Sequence, residues 1–209
     1  MDNELLRIYD ENHNPIGTAA RADVHTSGYW HETFHCWFAG RENGRVYLYF
    51  QLRSKAKKDY PNLYDITAAG HILANETIED GTREVEEEIG IRLSFSDLVL
   101  LDVLKYCVSQ KGLIDNEIAH VFFYPFNQPF ERFTLQKEEV AGMARAELHL
   151  VKDLMAGRRT SLLMDGFEED QDGTRKNVQT KADKSRFVPH EDGYYERVLE
   201  LIEDEMMRK

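Results

Sequence analysis

Four glutamates occupy five consecutive positions in Arg83-Glu84-Val85-Glu86-Glu87-Glu88-Ile89-Gly90-Ile91. Like charges this close repel unless a cation or a cationic side chain sits among them, so the fold must bring positive charge to this segment. The segment itself reads as a helix. Thr77-Ile78-Glu79-Asp80 has the form of a capping box, a hydroxyl followed three positions later by an acid. Ile78, Val85 and Ile89 are spaced by seven and four and form one buried stripe. Gly90 suits the left-handed residue that ends a helix. Gly81 inside the helix costs about 1 kcal/mol against alanine, which predicts close packing there. Glu84, Glu87 and Glu88 fall at i, i+3 and i+4, so their carboxylates converge on another face. Carboxylate oxygens are the ligands that Mg²⁺ prefers.

The longer stretch Gly70–Ile91, GHILANETIEDGTREVEEEIGI, resembles the signature of the Nudix hydrolases, Gly-x5-Glu-x7-Arg-Glu-apolar-x-Glu-Glu-x-Gly-apolar. Gly70, Glu76, Arg83, Glu84, Val85, Glu87, Glu88, Gly90 and Ile91 fill its fixed positions. Six residues, Thr77 to Thr82, stand where the pattern has seven, which brings the loop one residue closer to the helix. The resemblance implies an α/β protein: a Nudix-type α/β/α sandwich with a mixed β-sheet and a loop-helix-loop signature. It implies a pyrophosphohydrolase acting on acid anhydrides. The expected reaction is Mg²⁺-dependent hydrolysis of a diphosphate linkage in a nucleoside diphosphate derivative or similar organic diphosphate, with Mn²⁺ as the alternative ion. Glu84, Glu87 and Glu88 are the expected metal ligands, and Arg83 the residue that orients them by pairing with a carboxylate such as Glu76. Glu87, central in the cluster, is expected to be the most sensitive ligand.

A second match lies outside the signature. His31-Glu32-Thr33-Phe34-His35-Cys36-Trp37-Phe38, the stretch Gln51–Pro61, Tyr64–His71 and Gly112-Leu113-Ile114-Asp115-Asn116-Glu117 resemble the Nudix branch that includes type I isopentenyl-diphosphate isomerase. With the signature, the resemblance covers roughly residues 5–155. It implies a second metal site at His25, His31, His71, Asp115 and Glu117, where imidazole and carboxylate form a plausible divalent set. The isomerases also need a cysteine just before the Gly-His pair, and this chain has Ala69 there. An isomerase-like enzyme is therefore the alternative function, and a non-catalytic Nudix-like binding module a third.

The base that activates water is expected at Glu139, in Leu135-Gln136-Lys137-Glu138-Glu139-Val140, with Asp115 and Glu117 as competitors. Substrate contacts are expected from Gly70 and from Arg53 and Lys57 of the basic loop Arg53–Lys58. No motif reads out a base, a sugar or an isoprenoid.

At 209 residues the chain is expected to form a single domain over 1–209, with a core of about 5–155 and a C-terminal polar loop and helix of about 157–209. A net charge of −12 argues against nucleic-acid binding, since that needs a basic surface. The partner expected is a small-molecule diphosphate. No apolar run approaches the roughly 18 residues of a membrane span, and the first residues do not read as a signal peptide, so a cytoplasmic protein is expected. A homodimer is compatible with the sequence. Cys36 and Cys107 both read as buried free thiols.

Strands are expected at Leu5–Tyr9, Ile16–Ala22, Glu32–Ala39, Val46–Gln51, Leu98–Val108 and Ile118–Phe126. Glu138–Gly142 reads as a short loop, Glu147–His149 as a strand end and Leu150–Ala156 as a helical turn. The polar residues 164–186 read as a mobile surface loop, and Tyr194–Met207 as an amphipathic helix. His13 and His190 read as exposed, and His120 and His149 as structural.

Overall fold

The structure, a computed structural model, describes residues 4–110, 113–170 and 172–208. Gly112, part of the isomerase-like match, lies outside the described residues. Eleven strands form one mixed sheet among the described residues. They are β1 (Leu5–Tyr9), β2 (Pro15–Ala20), β3 (Trp30–Glu42), β4 (Arg45–Arg53), β5 (Tyr64–Asp65), β6 (Ala68–His71), β7 (Val99–Gln110), β8 (Leu113–Pro125), β9 (Val140–Glu147), β10 (Leu162–Glu169) and β11 (Arg175–Ala182). The main path runs β11-β10-β9-β4-β3-β1-β2. β8 pairs with β3 in parallel, Trp30 opposite Asn116 through Ala39 opposite Pro125, while the other pairings are antiparallel.

Alternation along β3 sends its side chains into three places. Phe34, Cys36 and Phe38 join the cluster under α2 (Thr82–Ile89), which contributes Val85 and Ile89. Trp37 and Ala39 join the opposite cluster, covered by α3 (Leu148–Met155) and α4 (Tyr194–Met207). Helices thus cover both faces, as the α/β/α expectation requires. Toward its start, His31, Thr33 and His35 are buried polar residues rather than core apolar ones.

The signature helix has the expected limits. Thr77 and Asp80 form the capping box, a short 3₁₀ turn (Ile78–Gly81) leads into α2, and Gly90 at φ 71° ends it. Gly81, which falls in the 3₁₀ turn and not inside the helix, is closely packed: an added Cβ would lie 2.6–2.8 Å from the Phe34 side chain.

The structure corrects six expectations. Residues 164–186 are not a loop in the main: β10 and β11 form a hairpin across most of the segment. Its buried residues are few and divided between the two faces, Leu162, Met164 and Ala182 on the side of α3 and α4 and Phe167 on the side of α2, and Arg175 lies over the Phe167 ring at 4.3 Å, so a polar composition conceals an edge hairpin. Arg21 and Ala22 do not extend a strand but open a helix, α1 (Arg21–Ser27), that buries only Val24 and so has almost no apolar periodicity. β9 begins at Val140, within the expected loop, and α3 begins at Leu148, within the expected strand end. Cys107 is exposed, because β7 lies at the margin of the sheet, paired only with β8; Cys36 alone is buried. The His190 side chain is largely covered and not exposed, for the reason given below. No helix among the described residues is long and apolar enough to cross a membrane.

Candidate active site

A cavity of about 300 Å³ opens between the signature helix, the early part of β3 and the segment before α4. Glu84, Glu87, Glu88 and Glu139 line it, as do Gly70, Arg53, Lys57 and Arg83. So do His25, His71, Asp115 and Glu117. The fold therefore brings the two groups that the sequence suggested, carboxylates and imidazoles, to one space.

Each signature residue has a visible local cause. Arg83 donates from Nε to Glu76 Oε1 (2.5 Å) and from Nη2 to Glu76 Oε2 (3.0 Å), a bidentate pair, and from Nη2 to the His71 carbonyl (3.0 Å). The pair forms despite the spacer one residue short. Nη1 donates to Glu84 (2.7 Å) and Glu87 (3.3 Å), which leaves the Arg83 guanidinium firmly charged. Gly70 makes room for Glu84: a Cβ there would stand 2.1 Å from Glu84 Oε1. Glu88 is buried, and its Oε2 accepts from Gln51 Nε2 (3.0 Å) and from the Ala69 backbone N–H (3.1 Å). Glu87 is the outermost, its side chain 54% exposed. Burial pushes the Glu84 carboxyl up to about 7, and burial with Glu84 beside it pushes Glu88 up to about 8. Positive charge beside Glu84 and Glu88 would favour their ionised forms, and the oxygens of these two and Glu87 suit a hard divalent ion.

Lys57 pairs with the buried Glu139, so the basic loop and the later glutamate meet at the cavity. Arg53 is committed within the protein: Nη1 donates to Asp65 (2.9 Å), and Nε and Nη2 donate to the Asp59 carbonyl (3.2 and 2.9 Å).

The imidazole group is assembled by three strands and α1. Gly28, at φ 67°, turns the chain from α1 into β3, so that His25 and His31 face each other with ring centroids 5.2 Å apart. His71 follows Gly70 and stacks on His31 at 5.1 Å. In the β3–β8 register His31 is opposite Glu117, and Asp115 lies two residues along on the same face. Ligand atoms of His25, His31 and His71 lie within 4.8 Å of one another, as do those of His31, Asp115 and Glu117. Nε2 of His31, Nε2 of His71 and Oδ1 of Asp115 are buried without a hydrogen bond. Burial holds the His71 imidazole well below its ordinary range, hence neutral, which is the form that binds metal. Two ring nitrogens and one carboxylate oxygen that make no hydrogen bond, converging with His25 and Glu117 and with Asp115 Oδ1 3.3–3.4 Å from His25 and His31, fit a divalent cation.

Glu117 is also tied from behind. Its Oε2 accepts from Thr33 (2.8 Å) and Tyr106 (2.8 Å) and is hydrogen-bonded to His35 (3.1 Å). His35 Nδ1 is in turn bonded to the Tyr194 hydroxyl (2.9 Å), which accepts from Trp37 Nε1 (3.2 Å). Sequence reasoning missed Gln51, Thr33, Tyr106 and Tyr194. Gln51 had a signal, one polar residue in the apolar run Val46–Leu52; the others become polar partners only through long-range contacts.

His120 pairs with Glu32 (3.0 Å), away from the imidazole group, and His149 is exposed beside Glu147. His190 was the misplaced one. Val188 N–H donates to the Tyr64 carbonyl (2.9 Å) beside a Tyr64–Phe187 bridge, and this strap carries His190 against Asp65, with Nε2 3.4 Å from Oδ1. Burial works to raise the Asp65 carboxyl, but His190 and Arg53 outweigh it and hold it well below the usual range.

No family model matches the chain. It is 37% identical over 205 residues to an uncharacterised Nudix hydrolase of Clostridium acetobutylicum, covering 98% of this chain and 100% of that one. It is 33% identical over 121 residues to the isopentenyl-diphosphate delta-isomerase of Mycolicibacterium vanbaalenii, covering 57% of this chain and 65% of that enzyme. The crystal structure of DR0079 from Deinococcus radiodurans superposes with a TM-score of 0.55 at 17% identity, over 74% of this chain and 90% of that one. The full-length relative identifies the family that the fold and the signature already indicated: this chain belongs to the Nudix hydrolases.

Proposed function

We propose that the chain hydrolyses the diphosphate linkage of a nucleoside diphosphate derivative or similar organic diphosphate, with Mg²⁺ or Mn²⁺. The observation that carries this reading is the convergence of Glu84, Glu87 and Glu88 on one cavity wall, with Glu88 pinned by Gln51 and the Ala69 N–H. Glu84, Glu87 and Glu88 would hold the ion, which supplies charge neutralisation on the phosphates when bound. Arg83, braced by Glu76, orients the cluster. Glu139 is the base: buried at the cavity, it takes the proton of the attacking water as the new P–O bond forms and the anhydride P–O bond breaks. Glu117 suits that role less, because one of its oxygens already serves three partners. Lys57, released from Glu139, neutralises a substrate phosphate.

A second reading, an isomerase-like enzyme, is favoured by the grouping of His25, His31 and His71 with Asp115 and Glu117, which would hold a second divalent ion. It lacks a thiol at Ala69. The products of anhydride cleavage, phosphomonoesters or free phosphate and pyrophosphate according to the substrate, should be separated and quantified with Mg²⁺ or Mn²⁺ from nucleoside diphosphate sugars, dinucleotides, NADH, coenzyme A, nucleoside triphosphates and isopentenyl diphosphate, with Glu87→Gln in parallel. Cleavage of one class, abolished by the substitution, supports hydrolysis. An isomerised product without anhydride cleavage would replace it with the second reading.

A further inference from the structure

Six buried side-chain polar atoms make no hydrogen bond among the described residues. Three belong to the imidazole group, and Arg145 Nε and Arg159 Nη1 do not line the cavity. The sixth is His190 Nε2, on a side chain only 6% exposed that stands in the cavity wall.

A buried polar atom without a hydrogen bond is costly, so one that persists at a cavity calls for an explanation. The ring is not loosely placed. It stacks on Tyr194 with centroids 4.4 Å apart and planes 28° from parallel, and Tyr106 and Tyr195 meet it edge-on at 5.7 and 5.2 Å. Asp65 Oδ1 stands 3.4 Å from Nε2 as an ion-pair partner, longer than an ordinary hydrogen bond, and Asp65 is itself fixed by Arg53. A ring fixed in a cavity wall, with a nitrogen that makes no hydrogen bond, is the arrangement of a preorganised ligand contact.

We propose that His190 is a substrate-binding residue whose Nε2–H donates to an oxygen of the substrate, with Asp65 as the positioning residue that holds the ring. The inference rests on the diphosphate reading above. It assigns a role at the site to the C-terminal segment, beyond residues 5–155. The oxygen belongs either to a phosphate or to the attached organic group, and the two sources are separable.

The test is calorimetric binding, with Mg²⁺ present, of methylenediphosphonate and of α,β-methylene-ADP, neither of which can be cleaved at the bridging position. His190→Phe keeps the ring and its stack on Tyr194 but removes the nitrogens. His190→Gln retains an N–H. Phe should weaken binding about tenfold, the loss of one directed hydrogen bond, and Gln should recover part of it. Equal weakening of both probes assigns the oxygen to phosphate; weakening of α,β-methylene-ADP alone assigns it to the organic group. Binding by the Phe protein within about twofold of wild type for both probes overturns the proposal, as does equal loss in Phe and Gln. If the wild-type protein itself binds neither probe, the diphosphate reading fails and this proposal with it.

Discussion

Replacing Gly70 with alanine separates the two things a signature glycine can do, shape the backbone or clear space for a side chain. The added Cβ would lie 2.1 Å from Glu84 Oε1, 2.2 Å from Cδ and 2.7 Å from Oε2. Ordinary contact begins at 3.4 Å, so Oε1 must withdraw by about 1.3 Å (3.4 minus 2.1). A carboxylate at the end of a side chain can swing that far; the cost is its 2.7 Å bond to Arg83 and its place beside Glu88. Gly70 does not occupy the left-handed region, so the backbone accepts alanine. Stability should therefore fall by only about 1 kcal/mol, the net worth of one hydrogen bond. A 1 Å displacement of a reacting group costs on the order of a hundredfold in rate. Gly70→Ala should melt within a few degrees of wild type, lose about a hundredfold in kcat/KM on the best diphosphate substrate, and bind Mn²⁺ more weakly by electron paramagnetic resonance. Undiminished kcat/KM and Mn²⁺ affinity would refute the steric argument. Large destabilisation would show that the glycine serves the backbone instead.

Gln51→Leu removes the donor to Glu88 Oε2 at nearly constant volume and should weaken Mn²⁺ binding by about 10- to 100-fold in the same assay. Gly81→Ala, at the end of the 3₁₀ turn where α2 begins, gains little helix propensity and places a Cβ 2.6 Å from a fully buried Phe34 ring stacked on Phe122; overpacking of this kind costs about 1–3 kcal/mol, so urea unfolding should show net destabilisation. Asp65 has a folded-state pKa below its unfolded value, so its stabilisation is full above the ordinary carboxyl value of about 4 and is lost as pH falls below that. The stability gap between wild type and Asp65→Asn, from denaturant midpoints, should therefore narrow steadily from pH 5 toward pH 2.

The readable parts of the sequence were those fixed by local chemistry. The α2 cap, stripe, glutamate face and terminal glycine lie within one segment and followed from spacing alone. Tyr194–Met207 was equally plain, because a solitary amphipathic helix advertises its period. The β10–β11 hairpin was not, since β11 is a polar edge strand and pattern reading needs a buried face. α1 buries one apolar residue and offered no period at all. Within the site, His25, His31, His71, Asp115 and Glu117 were found through resemblance, and their residue types say nothing locally about proximity. The covering of the His190 side chain rests on a strap that pairs Phe187 with Tyr64, 123 residues earlier (187 minus 64), and no local pattern encodes that.

The polar partners of His35 have a kinetic consequence. Its two ring nitrogens bind groups 82 and 159 residues away, at Glu117 and Tyr194. Contacts of such separation close large loops and form slowly. The cavity should thus be among the last features to consolidate during folding, after the α2 region has its local structure. A chain truncated before Tyr194 keeps every signature residue, yet it leaves His35 and Trp37 without their shared hydroxyl. Such a fragment would still carry the sequence hallmark of the family while binding ligand poorly, and refolding followed by ligand-induced fluorescence should lag behind the recovery of helical circular dichroism.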